Sequence, residues 1–570
     1  MSTVLTDNLP LLAGAPNGIK KLRELILELA VRGKLVPQDP SDEPASELLK
    51  RIAEEKARLV AEGKVKKQKT LAEFGEEAEP FELPAGWRWG TLAQVAFVNP
   101  RNAAADSLEV SFVPMTFIGT RFDDQHAQEP RLWGEVKQGF THFAEGDIGV
   151  AKITPCFENS KACVFSNLVN GLGAGTTELH IVRPVGGTLD PRFVLAYLKS
   201  PQFLLVGETK MTGTAGQKRL PKDFVETNPF PLPPLAEQHR IVAKVDELMA
   251  LCDLLEARQT DADSAHAQLV QALVSSLVQA CDAEDFAQSW QRLAEHFHTL
   301  FNTESSIDVL KQTLLQLAVM GKLVPQDPND EPASELLKRI AESSAQLVAG
   351  TKAKKGSVKT GIAVEGINGI GLPPTWLWVS FDDLIDPEYP IAYGVLVPGP
   401  DVVDGIPFVR IADLDLVAPP VKPEKSISPE VDSQFERTRI RGGEILMGVV
   451  GSVGKLGIAP DTWAGANIAR AICRIVPCGY VSKSYILWLL QSDLMRRQFL
   501  GDTRTLAQPT LNVGLIRSAS TPLPPLAEQH RIIAKVDQLM ALCDQLKARL
   551  NQVRQVHEHL ASALVDQAVA

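Results

Sequence analysis

The chain contains one unit twice. Residues 34–54 read KLVPQDPSDEPASELLKRIAE and residues 322–342 read KLVPQDPNDEPASELLKRIAE, identical at 20 of 21 positions. Residues 231–258, PLPPLAEQHRIVAKVDELMALCDLLEAR, return at 522–549 as PLPPLAEQHRIIAKVDQLMALCDQLKAR, with 24 of 28 positions unchanged. The two offsets are 288 and 291 residues. A repeat on this scale constrains the fold more than any local pattern does, because it means one supersecondary frame built twice. Between the repeated blocks lie residues 84–230 and 373–521, which share only landmarks such as Trp87 and Trp89 against Trp376 and Trp378. The inserts are as old as the frames and have diverged far more. Two near-identical frames imply one partner gripped twice, and two dissimilar inserts imply two different things read.

The frames read as helical. Leu22, Leu25, Ile26 and Leu29 fall at helical spacing over residues 20–31, and Gly33 follows where a C-terminal cap sits. Pro37 and Pro40 force a turn, and Asp42 is placed to cap a second helix over 43–62. After PLPPLAEQHR the apolar residues alternate spacings of four and three: Ile241, Val245, Leu248, Cys252 and Leu255, resuming at Leu269 and Leu273. The second copy gives Ile532, Val536, Leu539, Cys543, Leu546, Leu550 and Val553, then Leu560 and Leu564. This is a coiled-coil seam on two helices of roughly 35–40 residues, each about 55 Å long. Cys252 and Cys543 share one seam position and read as small hydrophobes. The expected arrangement is an antiparallel pair of these helices about a pseudo-twofold axis.

The inserts are rich in Gly, Pro, Val, Phe and Thr. Short apolar runs at Val110–Val113, Ile148–Ile153, Ile406–Ile411 and Glu444–Val450 read as strands, and 191–206 and 482–499 as helices. The fold class is therefore α/β (α+β): two mixed globular domains separated by two long antiparallel coiled-coil helices, a pseudo-twofold internal repeat. The expected boundaries are 1–83, N-terminal helical repeat region; 84–230, first variable domain; 231–372, central helical repeat with the first long helix; 373–521, second variable domain; and 522–570, C-terminal long helix.

Composition narrows the class. Of 570 residues, 45% are hydrophobic and 22% charged, enough apolar material for more than one core and too much for a disordered chain. No run of 18 apolar residues exists, and the first residues lack the basic start and apolar stretch of a signal peptide. The seven cysteines form no CxxC pair. A cytoplasmic protein with no membrane contact and no metal site is expected. The net charge is −11, but the first insert carries 14 basic and 14 acidic residues and the second 14 and 16. The remainder holds 30 basic and 39 acidic residues, so most of the acidity lies outside the inserts. Phosphate binding depends on local clusters rather than net charge. Clusters occur at Lys210, Lys218, Arg219 and Lys222, at Arg437, Arg439 and Arg441, and at Lys64, Lys66 and Lys67, which recur as Lys352, Lys354 and Lys355. A solvated helix end is the alternative reading of such groups.

Catalytic signatures do not fit. Gly448–Lys455, GVVGSVGK, has Val449 where a phosphate loop requires glycine and Leu456 where it requires Ser or Thr. Gly171–Thr176, GLGAGT, reads as a surface turn. Asn228-Pro229-Phe230 lacks the second proline of an amino-methyltransferase loop. No HExxH occurs, and His239 and His530 repeat within AEQHR, where capping or partner contact is expected. The expectation is a chain without catalysis of its own.

Alternating variable modules and duplicated helical regions, each module closing in PLPPLAEQHRIV or PLPPLAEQHRII, resemble the specificity (S) subunit of type I restriction–modification enzymes. The resemblance spans essentially the whole chain. It includes LRELILELAVRGKLVPQDP with its copy, and GEILMGVVGSVGKLGI at 443–458, similar to the Gly-Asp-Ile-Leu segment of the family's recognition domains. In the first module Gly146-Asp147-Ile148-Gly149 departs from that segment at its fourth position. Gln217-Lys218-Arg219-Leu220 and Gln508-Pro509-Thr510-Leu511 resemble the family's Gln-containing turn before the closing Pro-Leu-Pro.

The resemblance implies that each module is a target recognition domain binding half of a split, non-palindromic site in double-stranded DNA. The helices would set the gap and dock two methylation (M) subunits. No cofactor is expected on this chain; S-adenosylmethionine, ATP and Mg belong on partner subunits, including restriction/motor (R) subunits. Residue type and proximity to the family-like segments select Lys152, Thr154, Lys161, Lys210, Thr212, Gln217, Lys218 and Arg219 as DNA-binding candidates in the first module. The second module offers Arg410, Ser452, Lys455, Arg470, Arg504 and Gln508. Two other classes stay open: a protein-interaction scaffold with two binding modules, favoured by the near-neutral inserts, and a self-sufficient DNA methyltransferase, disfavoured by the missing motifs.

Overall fold

The computed structural model describes residues 9–62, 79–214, 216–280, 283–350, 363–367, 370–501 and 510–569. The chain divides into two compact units, one of residues 1–264 with 552–570, the other of residues 265–551. Each unit contains a helical frame and one sheet-containing module.

In the first unit, the helix Gly18–Val31 buries Leu22, Leu25, Ile26 and Leu29. It stops at Gly33, whose φ of +69° admits few side chains; a Cβ there would also strike Pro84 and Trp87. The Lys34 N–H closes the cap on the Leu29 carbonyl at 2.9 Å. The second helix runs Ala45–Ala61 behind Pro44, which occupies the N-cap. Asp42, expected at that cap, instead accepts two hydrogen bonds from the Arg240 guanidinium, at 2.6 and 3.2 Å. A cap is one use for an aspartate, but a cation delivered by a distant helix is a stronger partner. The second unit repeats this geometry with Glu304–Val319, Gly321 at φ +71°, Ala333–Gly350, and Asp330 paired with Arg531.

The long helices run Leu235–Gln279 and Leu526–Val569, 45 and 44 residues. They exceed the expected length. The seam residues Ile241, Val245, Leu248 and Cys252 are buried, in one cluster with Leu22, Leu25, Ile26 and Leu29. Arg23 fastens that contact to Asp253 and Glu256, at 2.5 and 2.8 Å. Ile532, Val536 and Cys543 lie likewise in one cluster with Ile307, Leu310 and Leu314. The seam therefore serves a frame helix of its own unit. Beyond Gln259 the expected register is off by one: Leu269 is exposed, and Val270, Val274 and Leu277 are buried. In the second helix Val553 and Leu560 are exposed and Ala561 is buried. No side chain from 256 to 269, or from 544 to 560, is buried.

The two modules share a topology that their sequences conceal. In the first, β1 (Arg88–Thr91) pairs antiparallel with β10 (Pro229–Leu232), closing the module onto the frame. Next come β2 (Ala96–Val98), β3 (Glu109–Val113), β4 (Glu129–Leu132), β5 (Thr141–Ala144), β6 (Ile148–Ala151), β7 (Ala162–Val164), β8 (Leu172–Gly175) and β9 (Leu179–Pro184). They form sheets ordered β2-β9-β6-β7 and β4-β3-β8-β5, with β3 and β8 parallel.

The second module has β11 (Leu377–Ser380), β12 (Ala392–Tyr393), β13 (Ile406–Val409), β14 (Lys425–Ile427), β15 (Ile445–Gly448), β16 (Leu456–Ile458), β17 (Asn467–Ile468), β18 (Ile472–Ile475) and β19 (Ser520–Leu523). The closing pair is β11-β19, and the sheets are β12-β18-β15-β16 and β14-β13-β17, with β13 and β17 parallel. Each expected helix is split in two, at Ser200 and Ser492: Pro191–Leu198 then Pro201–Lys210, and Lys483–Gln491 then Asp493–Leu500.

GLGAGT, expected as a surface turn, is the inner strand β8. A Cβ on Gly173 would lie 2.1 Å from the Phe143 ring, so the glycines admit that ring rather than a phosphate. Phe143 in turn stacks on Phe165, centroids 3.6 Å apart. Phe165 also explains the departure at Gly149, where a Cβ would meet its ring at 2.7 Å.

The joint between frame and module uses the repeated AEQ. The Trp87 indole N–H donates to Glu237 at 3.0 Å, and Trp376 to Glu528 at 2.8 Å. Burial raises both carboxyls above their ordinary range, against the pull of the indole donors. The next residue is also used twice. Gln238 accepts from the Asp190 N–H at the start of a module helix and donates to the Pro233 carbonyl. Gln529 does the same with Ser482 and Pro524. Replacing Trp87 or Trp376 with Phe keeps an aromatic ring but removes the indole donor from a buried carboxyl. Each change should lower unfolding stability by about 1–3 kcal/mol, measured by urea denaturation of the full chain.

Candidate nucleic-acid interface

In both modules the candidate residues collect where the parallel strands end. In the first module the chain leaves β6 at Ala151 and runs through Lys152, Ile153 and Thr154 beside the loop 211–220. Thr154 N–H donates to the Lys218 carbonyl at 3.0 Å, and Lys218 N–H returns to the Thr154 hydroxyl at 3.1 Å. Arg219 bridges to both Ile153 and Thr212, and Leu220 N–H donates to the Lys152 carbonyl. Lys152, Thr154, Thr212, Gln217, Lys218 and Arg219 are thus one cluster, drawn from segments about 60 residues apart in sequence.

Its members are not equivalent. Arg219 donates both arms of its guanidinium to Glu178, each at 2.9 Å, which holds that carboxyl below its usual range and raises Arg219 further. Thr154 is buried and its hydroxyl is committed to the backbone. Thr212, Gln217 and Lys218 are exposed and Lys152 half-buried. Those four side chains form the part of the cluster open to solvent. Lys161 is a strut: its ammonium donates to the Met115 carbonyl at 2.9 Å, tying the start of β7 to the turn after β3. Lys210 is exposed at the end of its helix and takes no part in the cluster's hydrogen bonds. Lys222, grouped with it by sequence, pairs with Glu226.

In the second module GVVGSVGK is the tight connection between β15 and β16. Gly448 N–H donates to the Lys455 carbonyl at 2.8 Å and Gly454 N–H to the Gly448 carbonyl at 2.9 Å. Gly451 and Gly454 take positive φ, which explains the glycines without a nucleotide. Lys455 repeats the role of Lys161, donating to the Ile411 carbonyl at 3.0 Å. Arg410 is held by Glu424 at 2.9 Å and more loosely by Asp413, and these carboxylates raise its pKa against the opposing effect of burial. Ser452 and Arg470 are exposed. Arg504 and Gln508 lie outside the described residues, as do Lys64, Lys66, Lys67, Lys352, Lys354 and Lys355.

The arginine group at 437–441 is structural. Arg439 pairs with Asp432, Arg441 lies over the Tyr389 ring, and the buried Arg474 donates to the carbonyls of Arg437 and Arg439. Asn228 donates to the Tyr197 hydroxyl beside the start of β10, again a packing role. His239 reaches Asp190 at 3.0 Å, so its partner lies within the chain. Glu178 was not selected from the sequence, and nothing in its neighbourhood marks it, since its partner is 41 residues away.

A family model for the type I restriction modification DNA specificity domain matches residues 401–555. The type I restriction enzyme EcoAI specificity subunit of Escherichia coli is 46% identical over 559 residues, covering 97% of this chain and 94% of that one. The EcoEI specificity subunit of Escherichia coli is 45% identical over 563 residues, with the same coverage of each chain. A solved chain from work on complex assembly and conformational transition of the type I R-M system aligns with a TM-score of 0.52 at 20% identity, covering 86% of this chain and 99% of its own. That likeness speaks to the fold, and the two subunits from Escherichia coli speak to the family. This chain belongs to the specificity subunits of type I restriction enzymes.

Proposed function

We propose that each module reads one half of a split, non-palindromic DNA site, that the two long helices set the gap between the halves, and that the repeated frames dock two methylation subunits. The observation that carries this reading is one topology with two different sets of ligand-facing residues. As a specificity subunit the chain is a non-catalytic part of its complex. S-adenosylmethionine and adenine methylation are assigned to the methylation subunits, and ATP with Mg to the restriction subunits.

Three features support the assignment. First, the exposed end of the first module combines Lys152 and Lys218 for phosphates with Thr212 and Gln217 for base edges. Second, the frames are identical at exposed positions where folding imposes no identity. Glu47 and Lys50 are exposed, and so are Glu335 and Lys338. Even the surface pairs recur, Lys50 with Glu47 and Lys338 with Glu335. Such pairs contribute about 0–1 kcal/mol, too little to hold a sequence fixed, whereas one partner bound twice does so. Third, the long helices have exposed middles, which favours an antiparallel pair of variable length. No helix among the described residues is long and apolar enough to cross a membrane.

The direct test deletes this chain from its host and sequences the methylome. Loss of a split methylated motif supports the reading, and an unchanged methylome removes it in favour of a scaffold. With the site known, Lys218→Ala in the complex with methylation subunits should weaken binding about threefold and lower the slope of log affinity against log salt by about 1. Gln217→Ala should relax base choice in one half-site only, as read by selection of bound oligonucleotides. Inserting one heptad into each exposed helix middle should lengthen the gap by about three base pairs, since seven helical residues span about 10.5 Å, and leave the bases read unchanged.

A further inference from the structure

The two modules share a scaffold but differ in what they hold out at the end of the parallel strands. In the first module that end carries Thr116, Thr176 and Thr177, hydroxyl-bearing and partly or fully exposed. In the second it carries aliphatic side chains: Leu396 is 56% exposed, Val397 71%, Val417 92% and Val421 79%. Topology places these residues together. Val395 bridges parallel to Ala469, so Leu396 and Val397 leave the sheet in the same direction as Arg470. β13 runs parallel to β17, so the chain beyond Arg410, through Leu416 and Val417, leaves by that end too. β14 is antiparallel to β13 with Lys425 opposite Phe408, which brings Val421 to the same end.

The apolar loop is held rigidly. Asp415 accepts the N–H groups of Val417 and Ala418, at 2.7 and 2.9 Å. The buried Trp463 donates its indole N–H to the Pro420 carbonyl, and the Thr462 hydroxyl donates to that of Val421. Pro419 and Pro420 further restrict the backbone. Four aliphatic side chains displayed on a fixed backbone add little to the module's own core. They suit a ligand with compact apolar groups at set positions. Around them Lys422 and Arg470 are exposed and have no acidic partner among the described residues, and Asp415 is already committed to its turn. An apolar tip flanked by free cations complements a duplex, in which a thymine methyl projects into the major groove between phosphate strands.

We propose that the second module recognises thymine by its 5-methyl group, through Val417 and Val397 with Leu396 and Val421 beside them, so that its half-site contains at least one A·T pair read by apolar contact. This rests on the reading of the module as a base reader and adds the chemistry of its choice.

The test uses the complex with methylation subunits and the duplex identified by methylome sequencing. Thymines are replaced by uracil in one half-site at a time, removing only the methyl groups. In the half read by the second module, binding should fall about fourfold for each methyl buried. Val417→Ser and Val397→Ser, both at exposed positions that leave folding intact, should erase that difference between thymine and uracil while leaving uracil duplexes bound as before.

Equal binding of thymine and uracil duplexes, or a methyl effect untouched by both variants, overturns the inference and leaves DNA reading intact. Weakened assembly of V417S or V397S with methylation subunits in the absence of DNA assigns the patch to a protein and also overturns it. Absence of any sequence-specific binding overturns the base-reading role itself.

Discussion

Two indole-to-carboxylate hydrogen bonds, Trp87 to Glu237 and Trp376 to Glu528, are the joints on which the rest of each unit depends. Each carboxylate sits in the first turn of a long helix, where the helix dipole favours negative charge, and each indole sits at the start of a module's first strand. The following glutamine fixes the N-terminus of a module helix on one side and the chain entering the long helix on the other. Frame, module and long helix are therefore clamped within two residues of sequence. Burial makes the clamp costly to break, because each partner then loses a hydrogen bond that water does not readily replace. That cost explains why AEQ repeats unchanged while the modules it holds do not.

With the joint fixed, a module can vary without disturbing its orientation. The two modules show how far. They share the order of their common strands, a parallel pair in one sheet (central in the first module, at an edge in the second), and a lysine donating to a turn carbonyl at the matching point, Lys161 to Met115 and Lys455 to Ile411. Their exposed ends diverge into hydroxyl and amide groups in one case and aliphatic groups in the other. Scaffold contacts are made by backbone hydrogen bonds and buried apolar surface, which tolerate many sequences. Ligand contacts are made by individual side chains, which do not.

The architecture was legible in the sequence because a repeat and a heptad are periodic. The helices at 18–31 and 45–61, their copies, and the two long helices follow from that periodicity. Legibility failed where a residue's partner is remote. Asp42 looks like a cap and is the anion for Arg240, 198 residues away. Arg219, Arg410, Lys161 and Lys455 look like phosphate ligands, and each is engaged by a carboxylate or carbonyl 14 to 46 residues away. The glycines of Gly171–Thr176 suggest a flexible turn and instead admit the Phe143 ring. Four of the eight described cationic candidates are held inside the module in this way. The side chains that remain are the exposed ones without a fixed partner, and several of them, such as Val417, are apolar and invisible to a search for charge.

The seam shows the same limit in another form. A strict heptad suggests a two-helix coil along its whole length, yet the buried run from Ile241 to Cys252 faces Leu22, Leu25 and Leu29, and the burial resumes one position out of register at Val270. A straight helix drifts about 20° per heptad, so a seam interrupted for fourteen residues returns on a different face. The interruption is the exposed middle, where no buried contact fixes the number of residues. The fully buried contacts of each long helix lie toward its ends, at 241–252 and 270–277 in the first and at 532–543 and Ala561 in the second. The second helix keeps more contact along its middle than the first, since Leu546 and Leu550 pack against the core and Lys547 pairs with Glu304 and Asp308, so the stretch that is free of packing there is shorter.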